Sequence, residues 1–454
     1  MELPTYILNE DGIMCTGFDE PIMTWRNHFD THLNLNSTES SYTATQPGDN
    51  CPAIHDDALN RPIELEEVQL AIAQLQENKA PGPDNICPSI IKDDRVLRYL
   101  HKLFQKCFET GTVPPAWLSS IIQPIYKGKG NKHDPNNYRK ITLQSCVAKV
   151  FAKIINNRLC NHLESNNLLC EEQNGFRKGR SCQDHISSLY FLIENRKLSK
   201  HDTYACFVDF KKAFDSVPRD LLWKKLLKAG INSNILGSIK ALYRNTNSVI
   251  KVNNDPIMIN RGVKQGCPLS PTLFNVFIND LIDLLNQEAN GIDFETCQIN
   301  ALVYADDLVL IVDKPDTLDK LLLMLNQWCV ESRMRINPDK TKIIHFGQPK
   351  KQKCKKLEIV GHLYSKFTHT CNTLVLPIIG YSSFLWGYKA YSDITKIQNN
   401  LMRSFLGVSS NVPIAALLGD MGWLPITTIT KISCIGFWIR LSNMADSRLN
   451  KQVY

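Results

Sequence analysis

Apolar and polar positions along this chain recur in two periods, and the switches between them sketch its elements. After Pro62-Ile-Glu-Leu-Glu-Glu, the residues Val68, Ala71, Ile72 and Leu75 repeat at helical spacing, and the acids suit a helix amino terminus. That helix stops before Lys79-Ala-Pro-Gly-Pro-Asp, where two prolines and a glycine force a loop. Helical stretches follow from about 89 to 109 and from about 144 to 164. Between them, the β-like run Trp117–Tyr126 and the short strand Tyr138–Leu143 flank a basic turn, Lys127-Gly-Lys-Gly. Tyr204-Ala-Cys-Phe-Val reads as a buried strand, and a helix with Pro218 at its start and Gly230 at its end comes next. Leu273, Phe274, Phe277 and Leu281 mark the core face of another helix. Residues 301–312 read as two strands around a tight turn, 317–332 as an amphipathic helix and Ile343-Ile-His-Phe as a last strand. Residues 1–60 mix short apolar runs with Ser, Thr, Asn and Asp and read as a poorly packed lead-in.

Two places break the apolar pattern with acid. Asp306 and Asp307 sit in the middle of Ala-Leu-Val-Tyr-Ala-Asp-Asp-Leu-Val-Leu-Ile-Val, and Asp209 ends the strand that begins at Tyr204. A buried, unpaired carboxylate costs several kcal/mol or takes up a proton, so carboxylates aimed at one spot call for a cation. Magnesium, a hard ion that prefers oxygen, suits them. The ordinary alternatives are an Asp-Asp turn on a surface hairpin and a helix-capping Asp.

Basic residues gather in two loops, and a third loop offers a glycine corner. Lys127 and Arg139, on strands joined by a flexible loop, would clamp phosphate as point charge and fork, or else be solvated surface charge. Arg177, Lys178 and Arg180 surround two glycines and Phe176, which suits a nucleic-acid backbone or any exposed turn. At the Gln265-Gly266 corner a glycine lets backbone approach a base pair closely.

Composition narrows the class without deciding it. With 454 residues and 43% hydrophobic content the chain has enough apolar material for a sizeable core. Lys+Arg 52 against Asp+Glu 45 gives a formal net charge of +7, a mild bias toward a polyanion. The 15 cysteines include no Cys-x-x-Cys pair, which argues against a disulfide framework or zinc ribbon and for a reducing compartment. His362, His369 and Cys371 lie close in sequence but lack a fourth zinc ligand. No run reaches the roughly 18 apolar residues of a membrane span, so a soluble intracellular protein, cytoplasmic or nuclear, is expected.

Three motifs, YADD at 304–307, FVDFKKAFD at 207–215 and KQGCPLSPTLFN at 264–275, stand in the order and spacing of a reverse transcriptase. EQNGFRKGRS at 172–181, NNYRKITL at 136–143 and KAPGPDNI at 79–86 resemble more narrowly the polymerase of a non-LTR (LINE-type) retrotransposon. The resemblance covers most of the chain. It implies an α+β right-hand polymerase that copies RNA into DNA, with fingers over 61–200, a palm with an antiparallel sheet over 201–346, a shortened thumb remnant over 347–373 and a helical region over 374–454. By resemblance, Asp209, Asp306 and Asp307 hold two Mg²⁺ ions, and Lys340 lies near the motif whose lysine protonates the leaving pyrophosphate. Phe214 falls on the aromatic that rejects a 2′-hydroxyl, Lys127 and Arg139 on the triphosphate grip, and Gln265 and Gly266 on the loop under the template base. Arg177, Lys178, Arg180 and Tyr304 are expected against the RNA template and DNA primer, with deoxynucleoside triphosphates as substrates. Complete elements of this type carry an endonuclease ahead of the polymerase, and a chain that starts at Met1 in what resembles the connecting segment is expected to lack one. The rival reading is a relic that binds nucleic acid without processive synthesis.

Overall fold

The computed structural model describes residues 6–34 apart from 10, 17 and 18, and residues 57–346 apart from 78, 129, 251, 252, 289, 290, 295 and 296. Isolated positions between 395 and 415 and residues 426–452 apart from 447 are also described. The expected thumb remnant at 347–373, with His362, His369 and Cys371, lies outside the described residues.

In chain order the elements begin with β1 (Ile7–Leu8), β2 (Met14–Cys15), α1 (Asp19–Leu33), α2 (Asp57–Asn60), α3 (Leu65–Ala73), α4 (Pro88–Ile91), α5 (Asp94–Thr110), β3 (Ser119–Tyr126) and β4 (Tyr138–Gln144). Next come α6 (Cys146–Ser165), α7 (Cys182–Leu198), β5 (Thr203–Val208), α8 (Ala213–Ser216), α9 (Arg219–Lys228), α10 (Ser233–Tyr243), β6 (Thr246–Ile250) and β7 (Asn253–Ile259). The chain continues through α11 (Ser270–Glu288), β8 (Ile292–Phe294), β9 (Cys297–Ile299), β10 (Ala301–Tyr304), β11 (Asp307–Val312), α12 (Pro315–Glu331) and β12 (Lys342–Phe346). Two helices of the carboxyl-terminal part are α13 (Ile426–Ser442) and α14 (Leu449–Gln452).

Two four-stranded sheets organise these elements. The first, antiparallel throughout, has the order β10-β11-β5-β12. The second has the order β4-β3-β6-β7, with β3 and β6 parallel. Helices packed on sheets that are antiparallel except for the β3–β6 pair make the class α+β. One contiguous core joins helices α5, α6, α9, α10, α11 and α12 to the first sheet, with Phe104, Phe151, Leu273, Phe274 and Phe277 fully buried. No helix among the described residues is long and apolar enough to cross a membrane.

Local chemistry explains where the elements begin. Glu64 and Glu67 make a reciprocal cap for α3. The helical stretch expected over 89–109 divides into α4 and α5, because the Asp93 side chain accepts the Arg95 N–H and starts a new helix. Trp117, expected in a strand, lies in a short 3-10 turn after Pro114 and Pro115, which fix the backbone and lack donors. The lead-in expectation is corrected for residues 6–34: α1 buries Trp25 and Phe29, four positions apart, against Ile122, Ile250 and Ile257 of the second sheet. Polar residues between these two aromatics hide the stripe from a linear reading.

The carboxyl-terminal helices dock on α7. Arg440 of α13 holds the fully buried Asp184 through both carboxylate oxygens, at 2.6 and 2.8 Å. Phe437 and Leu441 pack beside it on Ile186, Tyr190 and Phe191.

Candidate functional site

Strand register brings the acids together. Val208 pairs with Leu308 across β5 and β11, and Tyr304 pairs with Asp307 across the β10–β11 hairpin. Asp209 is therefore the next residue beside Asp307 on the neighbouring strand end, and Asp306 occupies the turn between them. Burial pushes the Asp306 carboxyl up, and the charges of Asp307 and Asp209 push it further. Burial and the Asp209 charge do the same to Asp307. Asp209 is held from below: its Oδ2 accepts from Asn337 Nδ2 at 3.0 Å and lies 3.6 Å from Lys340 Nζ, while its backbone carbonyl accepts the Asn337 N–H at 2.7 Å. Among the described residues no three His, Cys, Asp or Glu side chains close on one point as a finished metal site. The donor set still fits a hard divalent cation, since it is all carboxylate and its mutual repulsion is what such an ion would relieve.

The turn that carries Asp306 is backbone-strained and held from outside. Ala305 has φ +59°, a left-handed conformation that costs a residue with a Cβ about 1 kcal/mol. Gln173, fully buried, accepts the Ala305 N–H on Oε1 at 2.9 Å and donates from Nε2 to the Ala305 carbonyl at 3.3 Å. The same Oε1 accepts the Gly175 N–H at 2.7 Å. Backbone bonds from Val303 N to Glu172 O and from Asn174 N to Val303 O, each 2.9 Å, lay residues 172–174 alongside β10 as a parallel pseudo-strand. Gly175 is obligatory at this approach, because a Cβ there would lie 2.3 Å from Ala305 N.

This strap corrects one expectation. Arg177 and Arg180, read as contacts for a nucleic-acid backbone, are engaged internally. Arg177 is buried, pairs with Glu164 at 2.8 Å through two bonds, and donates to the carbonyls of Cys170 and Gln173. Its guanidinium holds the Glu164 carboxyl below the usual range. Arg180 pairs with Glu171 at 2.7 Å and donates to Asn174 Oδ1 and the Glu171 carbonyl. Lys178 alone of the three is exposed. The partners lie in helix α6 and at Glu171, and no local pattern announces them.

Beside the acids, Phe176, Phe214, Lys264, Gln265, Gly266 and Pro268 line a cavity of about 450 Å³. Phe214 stacks on Phe274 with ring centres 4.7 Å apart and meets the edge of Phe176 at 6.2 Å; Phe176 also leans on Tyr304 at 6.5 Å. Gly266, at φ +101°, lets the corner pass within van der Waals reach of the Thr142 carbonyl in β4. Two residues that sequence reasoning missed brace this corner. Arg219 donates to the carbonyls of Tyr243, Ile259 and Gly262 at 2.7, 2.9 and 3.1 Å, and the Tyr243 hydroxyl bonds Ser270 Oγ at 3.0 Å.

The two cations expected to grip phosphate lie at different places. Lys127, at the end of β3, donates to the Asn136 carbonyl at 2.6 Å. Arg139 is exposed, and alternation along β4 turns it away from the buried face of Lys140, Thr142 and Gln144. It is Lys140, unremarked in the sequence, that reaches Asp215 in a buried ion pair of 2.7 Å. Lys212 stands within electrostatic reach of Asp215, Lys140 and Lys127, so three lysines cluster near the end of β5. The alternating burial of β4 was the available signal for Lys140.

Comparison with known proteins supplies the family. The family profile described as reverse transcriptase (RNA-dependent DNA polymerase) matches residues 129–370, just over half of the chain. A probable RNA-directed DNA polymerase from transposon BS of Drosophila melanogaster is 28% identical over 345 residues, covering 73% of this chain and 37% of that protein. The RNA-directed DNA polymerase from mobile element jockey of Drosophila funebris is 27% identical, covering 70% of this chain and 35% of its own length. The Pol polyprotein from type-1 retrotransposable element R2 of Nasonia vitripennis is 28% identical, covering 66% and 28%. The chain thus spans about a third of the length of these relatives. Carboxylates on adjacent strand ends, the motif order and the profile match lead to one assignment: this chain belongs to the reverse transcriptase family, in its non-LTR (LINE-type) group.

Proposed function

We propose that the chain is an RNA-directed DNA polymerase that adds deoxynucleotides to a primer 3′-hydroxyl. In this reading the sheet β10-β11-β5-β12 is the palm, and β3–β4 with the helices around them form the fingers. The observation that carries it is the register that sets Asp209 beside Asp307, with Asp306 in the adjoining turn. Asp209, Asp306 and Asp307 would hold two Mg²⁺ ions, which when bound make the primer hydroxyl a better nucleophile and offset charge on the leaving oxygen.

The remaining steps belong to the chain's own residues. Asn337 fixes the Asp209 carboxylate, and Lys340, 3.6 Å from that carboxylate, would donate a proton toward the departing pyrophosphate. Lys127 and Lys212 supply positive charge for the triphosphate, while Lys140 is neutralised by Asp215. Phe214, fixed by its stack on Phe274, offers a flat face to a deoxyribose and a clash to an added hydroxyl. The Gln265-Gly266 corner supports the templating base, and exposed Lys178 and Arg139 meet backbone phosphates of an RNA template and DNA primer.

Extension of oligo(dT) on poly(rA) tests the reading. Asp306→Asn should abolish extension while hybrid binding changes by no more than about threefold, because the lost group touches metal and not the duplex. Full extension by that variant would overturn the assignment.

A further inference from the structure

We infer that Gln173 is a positioning residue for the proposed metal-binding turn, acting through Ala305 and touching neither metal nor substrate. The inference rests on the reading of Asp306 and Asp307 as metal ligands. One side-chain amide takes up both backbone groups of Ala305, the residue immediately before those carboxylates, as a strand partner would. Ala305 needs such a hold, since it occupies the left-handed conformation that hairpin turns ordinarily fill with glycine. Asp209, Asp306 and Asp307 are like-charged carboxylates brought together on adjacent strand ends, so their mutual repulsion works against the turn.

Gln173 is itself fixed on every side. Its carbonyl accepts from Arg177 at 3.0 Å, and the flanking backbone is bonded to Val303 on β10. His185 of α7 bonds the Val303 carbonyl through Nε2 at 2.9 Å, and the neighbouring Asp184 is clamped by Arg440 of α13. The ionic contacts of the strap therefore have a destination. They hold rigid the amide that holds the turn, so that the carboxylates stand ready before an ion arrives.

The test compares Gln173→Leu with the parent chain. Leucine keeps the volume and leaves Ala305 without its partner. Single-nucleotide addition should slow 10- to 100-fold in kcat, with KM for the nucleotide within threefold. In the absence of nucleotide, Mn²⁺ affinity read by electron paramagnetic resonance should weaken about tenfold. Gln173→Glu keeps both Oε1 contacts and should retain more of the Mn²⁺ affinity than leucine does, and it also decides the matter if the leucine variant does not fold. Unchanged kcat and Mn²⁺ affinity in the folded variants would overturn the inference, as would a loss borne by KM alone. The Mn²⁺ titration separates this from a failure of the proposed function. A parent chain that binds Mn²⁺ through Asp306 yet extends no primer would sink the polymerase reading, while a weakened Gln173→Leu would still uphold the positioning role.

Discussion

The β10–β11 hairpin and the 172–181 strap lie against each other, and both carry charge beside small residues, yet their charges do opposite things. On the hairpin, burial and mutual repulsion drive the Asp306 and Asp307 carboxyls up, and no cationic side chain answers them within the turn. On the strap, Arg177 and Arg180 each close on a carboxylate and on backbone carbonyls. Charge that the fold leaves in conflict is available for chemistry, and charge that the fold satisfies is structure. The cleanest way to break this comparison is to neutralise one charge on each side.

On the hairpin, Asp306→Asn should lower the rate of extension by more than about 10³-fold, because several kcal/mol of metal-borne stabilisation go with it. The same change should stabilise the metal-free chain at neutral pH. The sign follows from the raised carboxyl: its contribution to stability is fully present below the ordinary value of 3.8 and is lost as pH rises through the raised one. The gain should therefore vanish on acidification. Urea melts of both proteins at pH 7 and pH 3 check it, and a variant less stable at pH 7 would mean that Asp306 is paired after all.

On the strap, Arg177→Met should cost about 2–3 kcal/mol of stability, since Glu164 loses its partner and two carbonyls lose donors. Glu164, held low by Arg177, gives stability above its ordinary pKa that falls away as pH drops through the lowered value. That acid sensitivity should shrink in the variant. The salt dependence of template binding should stay as in the parent, and a flatter salt slope would restore Arg177 to the nucleic-acid interface.

These two sides also differ in how legible they were. The acids could be read because a carboxylate inside an apolar run is anomalous locally, whereas which residues meet is seen only in the strand register of the structure. The helices followed from stripes such as Leu273, Phe274, Phe277 and Leu281, all fully buried in the structure. The arginines could not be assigned, because their partners are distant or unmarked: Glu164 lies on the preceding helix, and Asp184 meets Arg440 from the far end of the chain. Lys140 was overlooked for the neighbouring reason. Its pairing with Asp215 spans two elements, and only the alternation of β4 hints that it faces inward. Trp25 and Phe29 escaped notice because two buried aromatics do not make a stripe until the rest of the second sheet is in place.

A third substitution sharpens the comparison where strap and hairpin meet. Phe214→Val removes the face that would clash with a 2′-hydroxyl, and ribonucleotide incorporation relative to deoxyribonucleotide should rise about tenfold or more, as expected when one steric contact of about 1.4 kcal/mol is lost. Phe176→Ala, which removes only the edge that steadies Phe214, should give a smaller rise. Competition assays with paired nucleotides measure both, and equal discrimination in all three proteins would detach the aromatics from the sugar.

The smallest effect is expected from Lys178, and it tests the rule on its own ground. Lys178 lies between Arg177 and Arg180 in sequence, has the same sign of charge, and is exposed where they are engaged internally. If satisfaction separates structural from functional charge, Lys178→Ala should leave stability within about 0.5 kcal/mol of the parent, as for other exposed sites. It should also reduce the magnitude of the slope of log K against log salt by about 0.7–0.9, the signature of one lost phosphate contact. Arg180→Ala should do the reverse, lowering stability with no change of slope, because its guanidinium already holds Glu171 and Asn174. Fluorescence anisotropy of a labelled RNA–DNA hybrid over 50–300 mM salt, with melts of the same proteins, reads both quantities. A Lys178 variant with an unaltered slope would mean that the strap faces no phosphate at all, and that its only task is to hold the turn behind Asp306.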